Sequence, residues 1–584
     1  MKRYIIILAI LLIVNQAFTQ TTIKKASLNE DASIKIETIV LNEDIEFKSS
    51  KSSFENILSF GGPAYTTSKN MRGLAIADID NDGVEEILFG INNKFYVLKG
   101  NGDTLIEKTF AGPILLPPTI ADINGDGNLE IILNYGHVGT NGGLAVLNNS
   151  GDFLPGWPKT FNSSWLTNAP AVSDINNDGQ MEIIVGERIN ATTGRIHVFT
   201  NDGNTYNENW PATIGSTPAF TPSIGDINGD GEKNIVIAGS STGMYVFNQN
   251  AELLPGFPFV NQGVGYSYQS PILADLNGDG KLEIIGSNHG DNPGFYAIKY
   301  DATYMPGWPI YQPTWTYSPP TLIDIEGNGE YSIFMGSPNV DMENNSEIPV
   351  IYGLNANAEM LDNFPIEKYG GNEGVICVAD INDDGVLDLI FGSNITDEEG
   401  YGFIHAFSID GSGELDGFPI RPWGMTFMNG AVLGDINNDG SLDLSCLSHR
   451  TTFGQGIDSI FVNTYNLGFE YKPENILVNG YKGSNTRDGR VSNNITNIKP
   501  VLNDENLFKL SPNPSSGNLN IDFNNAQTNI EIQIFSLDGK LIYSEKHEAM
   551  DNHISLNLRE LLSGEYIVLI KSENKTSAKL WVKE

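Results

Sequence analysis

The stretch Asp122-Ile-Asn124-Gly-Asp126-Gly127-Asn-Leu-Glu130 sets oxygen-bearing side chains at positions 1, 3, 5 and 9, with glycine at 6 and the apolar run Ile131-Ile132-Leu133 directly behind. Alternate positions of a tight loop turn their oxygens onto one hard cation. Glycine at 6 takes the backbone angle of the sharp turn, and the carbonyl of residue 7 can serve as a further ligand. Calcium fits best, because it accepts several oxygens in loose geometry and the loop offers no nitrogen or sulfur to favour zinc. The stretch recurs eight times, at intervals of 44 to 56 residues. The ligands it predicts are Asp78, Asp80, Asp82 and Glu86; Asp122, Asn124, Asp126 and Glu130; Asp174, Asn176, Asp178 and Glu182; Asp226, Asn228, Asp230 and Asn234; Asp275, Asn277, Asp279 and Glu283; Asp324, Glu326 and Asn328; Asp380, Asn382, Asp384 and Asp388; and Asp435, Asn437, Asp439 and Asp443.

EF-hand and dockerin loops open with the same pattern, but an EF-hand needs a bidentate acid at position 12 and flanking helices. Position 12 here holds Phe89, Leu133, Val185, Ile237, Gly286, Met335, Phe391 and Cys446. None is an acid, and each loop leads into a β-rich run such as Glu182-Ile-Ile-Val-Gly186. The EF-hand reading fails.

The elements that must hold such loops repeat with them. In one unit Ala169 to Ser173 reads as a first strand, Met181 to Gly186 as a second, Gly194 to Phe199 as a third, and a fourth extended stretch reaches Trp210-Pro211. Other units end alike, as Leu154-Pro-Gly-Trp-Pro158, Leu254-Pro-Gly-Phe-Pro258 and Met305-Pro-Gly-Trp-Pro309. Proline is tolerated on an edge strand only, which puts the fourth strand at each sheet's rim with its aromatic closing the contact between sheets. Four strands per roughly 50 residues, repeated, describe an all-β propeller. The loops with their trailing strand and closing glycine (Phe89-Gly90, Val185-Gly186, Met335-Gly336, Phe391-Gly392) resemble the FG-GAP/VCBS repeats of integrin α-subunit-like propellers and of exported bacterial proteins. The resemblance spans residues 59–480. It implies calcium-loop blades, commonly seven; eight contiguous copies predict eight here, with seven as the alternative. Two loops depart from the pattern, since the fourth ends on neutral Asn234 and the sixth on Ser332. About six to eight structural calcium ions are therefore expected, with weak binding at Asp324.

Composition sets the surroundings. The formal charge of −38 argues against nucleic acid and anionic membranes as partners. Of the 72 acidic residues, 23 stand at loop positions 1, 3, 5 and 9, so eight filled loops would return up to 16 positive charges. Residues 1–20 read as a signal peptide, with Lys2-Arg3, an apolar core from Tyr4 to Val14 and a cleavage site near Ala17-Phe18-Thr19. That core is too short to span a bilayer, and no later segment qualifies. In the lead-in, residues 21–58, Ser33 to Val40 alternates like a strand that could join the edge of the repeat body. Cys377 and Cys446 each lie in an apolar strand pattern, leaving buried free thiols and a disulfide both open. Residues 481–505 read as a linker. Residues 506–584 read as a small antiparallel sandwich with short hairpin turns. In motif order, Leu510-Ser-Pro-Asn-Pro514, Ile530 to Phe535, Asp538-Gly-Lys540 and Lys579-Leu-Trp-Val-Lys583 resemble the C-terminal sorting domain of the type IX secretion system. That resemblance implies the secretion machinery as a partner and a secreted or surface-attached product.

A ligand surface is expected on the face opposite the loops. There the links between units hold Trp165, Phe220, Tyr266, Tyr268, Trp315, Tyr317, Tyr369, Trp423 and Phe427, and Arg421. The turns between second and third strands hold His137, Arg188, His289, His449 and Arg450. Aromatic faces beside hydrogen-bonding groups suit sugar rings or a protein loop; the alternative is that they wedge neighbouring sheets together. No HExxH, GxSxG or Walker loop occurs. The first expectation is a non-enzymatic binding or adhesion module for polysaccharide or a cell-surface protein. The second is a calcium-dependent polysaccharide lyase, with His137 or His289, beside Tyr135 or Arg188, as the base.

Overall fold

The computed structural model describes residues 22–28, 34–40, 53–64, 72–136, 142–162, 164–166, 168–266, 269–325, 328–340, 346–450, 458–491, 508–515, 517–527, 530–536, 541–547, 551–559, 561, 564–572 and 575–583. Residues 1–20, His137, Tyr268 and Glu326, about which the sequence makes calls, lie outside them. The described residues are all-β, with no α-helix. None of their elements is a helix long and apolar enough to cross a membrane.

Each of the eight loops sits in its own antiparallel sheet, here units 1 to 8 in chain order. In unit 2 the strands Thr119–Ala121, Glu130–Tyr135, Gly142–Leu147 and Lys159–Phe161 pair consecutively, and the loop joins the first to the second. Both faces of Glu130–Tyr135 are buried, which is why its sequence reads as a continuous apolar run rather than an alternation. The rim position expected for the fourth strand holds, but the strand begins after the proline, as at Lys159–Phe161 and Ala212–Ile214. Proline has no N–H to give the ladder, so pairing starts one residue later. The aromatics before these prolines tie neighbours together. Trp157, Trp210 and Trp308 donate their indole N–H groups to Asn201, Gln249 and Ala356 of the following unit, at 2.9, 2.9 and 3.0 Å.

Sheets pack face to face in chain order. One apolar cluster joins units 1 and 2 through Leu88, Val97, Ile131 and Leu133, and another joins units 7 and 8 through Ile390, Ala406, Leu433 and Leu444. A third joins unit 8 to unit 1 through Ile460, Val462, Ile76 and Phe89. Unit 8 takes its outer strand from the far end of the chain: Glu55–Ala64 pairs with Asp458–Glu470. The lead-in strand also joins the body, since Ile34–Val40 pairs with Thr22–Leu28, which pairs with Ile395–Thr396 of unit 7.

One stretch departs from expectation. Residues 481–491, read as the start of a linker, include the buried Tyr481, Lys482, Arg487 and Asp488. Inner strands of the sheets leave one edge of N–H and C=O groups unpaired, and buried backbone groups must find partners. This segment supplies them, so its polar composition is read by the sheets rather than by water. Cys377 and Cys446 are both free and buried, and the disulfide alternative falls away. Beyond it, Phe508–Ser511, Asn518–Gln527 and Asp551–Asn557 form one sheet and Leu541–His547, Ile530–Ser536, Gly564–Ser572 and Lys575–Lys583 another, over a core that includes Phe508, Ile532 and Trp581.

Candidate functional site

Seven of the eight loops share one hydrogen-bond scheme, and the sixth keeps part of it. In unit 2 the Asp122 carboxylate accepts the N–H groups of Gly125, Asp126 and Gly127 at 2.7, 3.1 and 2.8 Å. Asp126 accepts that of Asn128 at 2.8 Å, and Glu130 reaches back to accept that of Ile123 at 3.0 Å. The bond donated by the N–H of the position-6 glycine to the first aspartate recurs at Gly83, Gly179, Gly231, Gly280, Gly329, Gly385 and Gly440, between 2.7 and 3.0 Å. Gly127 has φ +86°, with open space around an added Cβ, so only the backbone angle demands glycine there. The position-9 bond recurs at Glu86, Glu182, Asn234, Glu283, Asp388 and Asp443. The loops are thus pulled shut with their oxygens drawn together.

Charge accumulates as a result. In unit 1 the ligand oxygens of Asp78, Asp80 and Glu86 lie within 4.8 Å of one another. Burial, with neighbouring carboxylates adding to it, pushes Glu86, Glu130, Glu182, Glu283, Asp388 and Asp443 up to about 7. The donors the loops offer are all oxygen, a set that fits calcium. In unit 1 a cation of the chain itself comes close, with Lys99 Nζ 2.6 Å from Asp80 and 2.7 Å from Asp82. The sixth loop differs. Asp324 keeps its bond to Gly329, but Ser332 is too short to reach back, and Ile325 is 44% exposed where its seven counterparts are buried.

The opposite face divides into wedges and half-open rings. Trp165, Phe220, Tyr266, Tyr317 and Phe427 are buried between sheets, as is Tyr135. Trp315, Trp423 and Tyr369 are half-buried. His289 lies 5.2 Å from the Trp315 ring and 5.7 Å from Tyr317, and Trp315 donates its indole N–H to Gly290 at 2.9 Å. Arg450 lies over Trp423 at 4.7 Å, with Tyr401 edge-on at 4.8 Å. Arg188 lies 5.9 Å from Trp165, its register partner in the same sheet. The expected platform therefore separates into Trp-centred clusters in different units. His449 is buried, and Arg421 is buried against Asp397, so neither faces a ligand.

Sequence reading missed the group at the inner edges of the strands. Arg72, Tyr481, Lys482 and Arg487 are almost fully buried there. Arg72 and Arg487 each stand 5.8 Å from the Tyr481 ring. The available signal was the run Lys482 to Arg490, with Gly480, Gly483 and Gly489 all at positive φ, in a chain with only 34 basic residues.

Comparison with known proteins bears on both parts. Residues 122–185 and 226–286 match the FG-GAP-like repeat, two loops in each span, and residues 509–584 match the secretion system C-terminal sorting domain. The chain carries both. The sorting domain marks it for type IX secretion, and so as a secreted or surface-attached protein. No curated protein matches. Among solved structures, the biofilm matrix protein Bap1 of V. cholerae aligns at 13% identity and TM-score 0.36, over 76% of this chain and 97% of that one. The WD40 domain of SCAP from fission yeast aligns at 12% and 0.32, over 70% and 98%. A Synechocystis apocarotenoid oxygenase aligns at 11% and 0.30, over 70% and 93%.

Proposed function

We propose that this chain is a calcium-stabilised, eight-bladed propeller that works outside the cell as a non-enzymatic binding module, with polysaccharide as its ligand. Closure of the ring is supported by the cluster shared by units 8 and 1 and by the pairing of Glu55–Ala64 with Asp458–Glu470. Calcium in the loops is supported by their all-oxygen donors and, in unit 1, by three carboxylates whose oxygens lie within 4.8 Å of one another. It would tie first and second strands together and offset charge that otherwise opposes folding.

The observation that carries the binding reading is the repeated pairing of a tryptophan with a cationic or imidazole side chain, at Trp165, Trp315 and Trp423, on the face opposite the loops. A ring face is an apolar platform for the C–H side of a sugar, and the neighbouring nitrogen supplies donors to its hydroxyls. Trp315 and Trp423 are the rings left half open, so they are expected to carry most of the contact.

The test is electrophoresis of the purified chain, calcium present, through native gels cast with different polysaccharides and then stained for intact polymer. Retardation without clearing, abolished in a Trp315→Ala, Trp423→Ala double variant, is the expected result. A cleared zone would make the protein an enzyme and put His289 and His137 first. Absence of retardation on every polymer would replace the glycan with a protein partner.

A further inference from the structure

Residues 475–491 pass along the inner strands of the units in ring order. Asp380 of unit 7 donates its N–H to Asn475 at 3.0 Å, and Val478 pairs with Val378. In unit 8 Leu433 donates to the Asn479 side chain at 2.9 Å, and in unit 1 Asn485 donates to Ile76 at 2.8 Å. Then Ile120, Val172, Ile224 and Leu273, of units 2 to 5, donate their N–H groups to Asn485, Thr486, Asp488 and Gly489, at 2.9, 2.9, 2.8 and 2.8 Å. Seven units are held by one segment.

Side chains satisfy the carbonyls that the inner ends leave over. Lys482 Nζ donates to Pro222 at 2.6 Å and to Ser223 Oγ at 2.9 Å, and Arg487 donates to Pro118 at 3.1 Å. Arg72, from the start of unit 1, donates to the carbonyls of Tyr317 at 2.7 Å and Glu373 at 3.1 Å. Each of the two guanidinium groups stands 5.8 Å from the ring of Tyr481, whose hydroxyl reaches Thr221 at 3.1 Å and Ser270. A buried carbonyl without a donor costs free energy comparable to a lost hydrogen bond, so removing the segment would strand polar groups in seven units together.

We propose that residues 475–491 are an axial strap that locks the inner strands, and that its seating makes completion of the body wait for the segment just ahead of the sorting domain. The proposal rests on the ring reading, but it can fail separately. Glu55–Ala64 closes the ring from the N-terminal side, and the strap is the last part of the body in sequence.

The test uses the full chain with a specific protease site inserted at Gly468, an exposed glycine at positive φ near the end of the strand Asp458–Glu470, where its register shifts and the space around it is open. After cleavage, the piece from 469 onward is expected to stay bound through gel filtration and to leave only in denaturant. In a Lys482→Ala, Arg487→Ala background its release is expected to be at least tenfold faster. If that variant does not fold, Tyr481→Phe, which keeps the ring and removes two hydroxyl contacts, is expected to speed release to a lesser degree. Refolded alone, the piece ending at 468 is expected to remain protease-sensitive until the other piece is added back. A piece ending at 468 that becomes resistant by itself, or a strap that leaves native protein with the melting curve unchanged, would overturn the proposal. A Ser59→Cys, Asn463→Cys pair, register partners across the closing strands, tests the ring alone. A cross-link that forms while the strap results fail leaves the ring standing; no cross-link sinks the ring reading.

Discussion

At the scale of single residues, position 9 distinguishes the loops. Where it is Glu or Asp, the side chain both accepts the N–H of residue 2 and brings charge to the cluster, as Glu283 does for Leu276 at 2.9 Å. Asn234 preserves the bond without the charge. Ser332 preserves neither, and Ile325 stands exposed. Metal analysis of the purified chain should therefore return seven calcium ions rather than eight, with the weakest of the seven in unit 4. Glu283→Gln should lower the count or the affinity of one site while leaving the fold intact; an unchanged titration would remove position 9 from the ligand set. The two cysteines give an independent check at this scale. Burial pushes Cys377 up to about 11 and Cys446 up to about 12, so both are neutral thiols near pH 7. Only the thiolate reacts readily. Iodoacetamide should leave native protein unmodified and add two groups once it is unfolded, read as a mass shift.

Among elements, the turns between third and fourth strands do more than reverse the chain. Each packs against the loop or turn of a neighbour, as where Gln249 donates to Ile175 at 2.6 Å. At the join between unit 1 and unit 8 the fit is close: a Cβ on Gly100 would stand 2.0 Å from the Ile436 carbonyl oxygen, as one on Gly156 would from that of Asp202 where units 2 and 3 meet. Gly100→Ala should cost about 1–3 kcal/mol, the usual range for overpacking a filled interior, measured as a lowered urea midpoint. A variant as stable as the parent would mean that this join is loose and the ring open. Gly83, with nothing within 4 Å, is the control for space, since its φ of +88° makes substitution strained for a different reason. These elements also show what was legible in the sequence. The loops, the second strands and the rim position of the aromatic–proline ends could be read because each rests on local rules of turn geometry, burial and proline chemistry, repeated in register. The strap could not. Its partners are backbone groups 46 to 409 residues away, from Leu433 against Asn479 to Ile76 against Asn485, and nothing in a polar, glycine-containing stretch distinguishes a segment read by strand edges from one read by water. The ligand face was legible only in part, for a similar reason: the link position nine residues before the loop aspartate holds a buried wedge at Trp165 and Tyr266 and a half-open ring at Trp315, and the difference is made by neighbouring units.

For the molecule as a whole, the question is how a chain with a formal charge of −38 stays compact when 23 of its acids are gathered into loops. Exposed carboxylates at such density repel one another, and the position-9 acids are buried as well. Two kinds of positive charge answer this in different places. Inside, Arg72, Lys482 and Arg487 are held by carbonyl dipoles and hold the inner strands in return. In the loops, the chain supplies few cations of its own, Lys99 being the clearest, and on the reading proposed above a divalent ion supplies the rest. An ion that binds the folded chain alone stabilises it by RT ln(1 + [Ca]/Kd), about 2.7 kcal/mol for one site at a hundredfold excess over Kd. Several sites acting on packed sheets should therefore lower the melting temperature by roughly 10 °C or more when calcium is chelated. Added magnesium should restore little, because it demands tighter octahedral geometry and gives up water reluctantly. Raised monovalent salt should recover only part of the loss, since it screens exposed charge but does not reach the buried acids. A melting curve indifferent to chelator would mean that the loops hold themselves shut by hydrogen bonds alone, and the metal reading would fall with the propeller left intact.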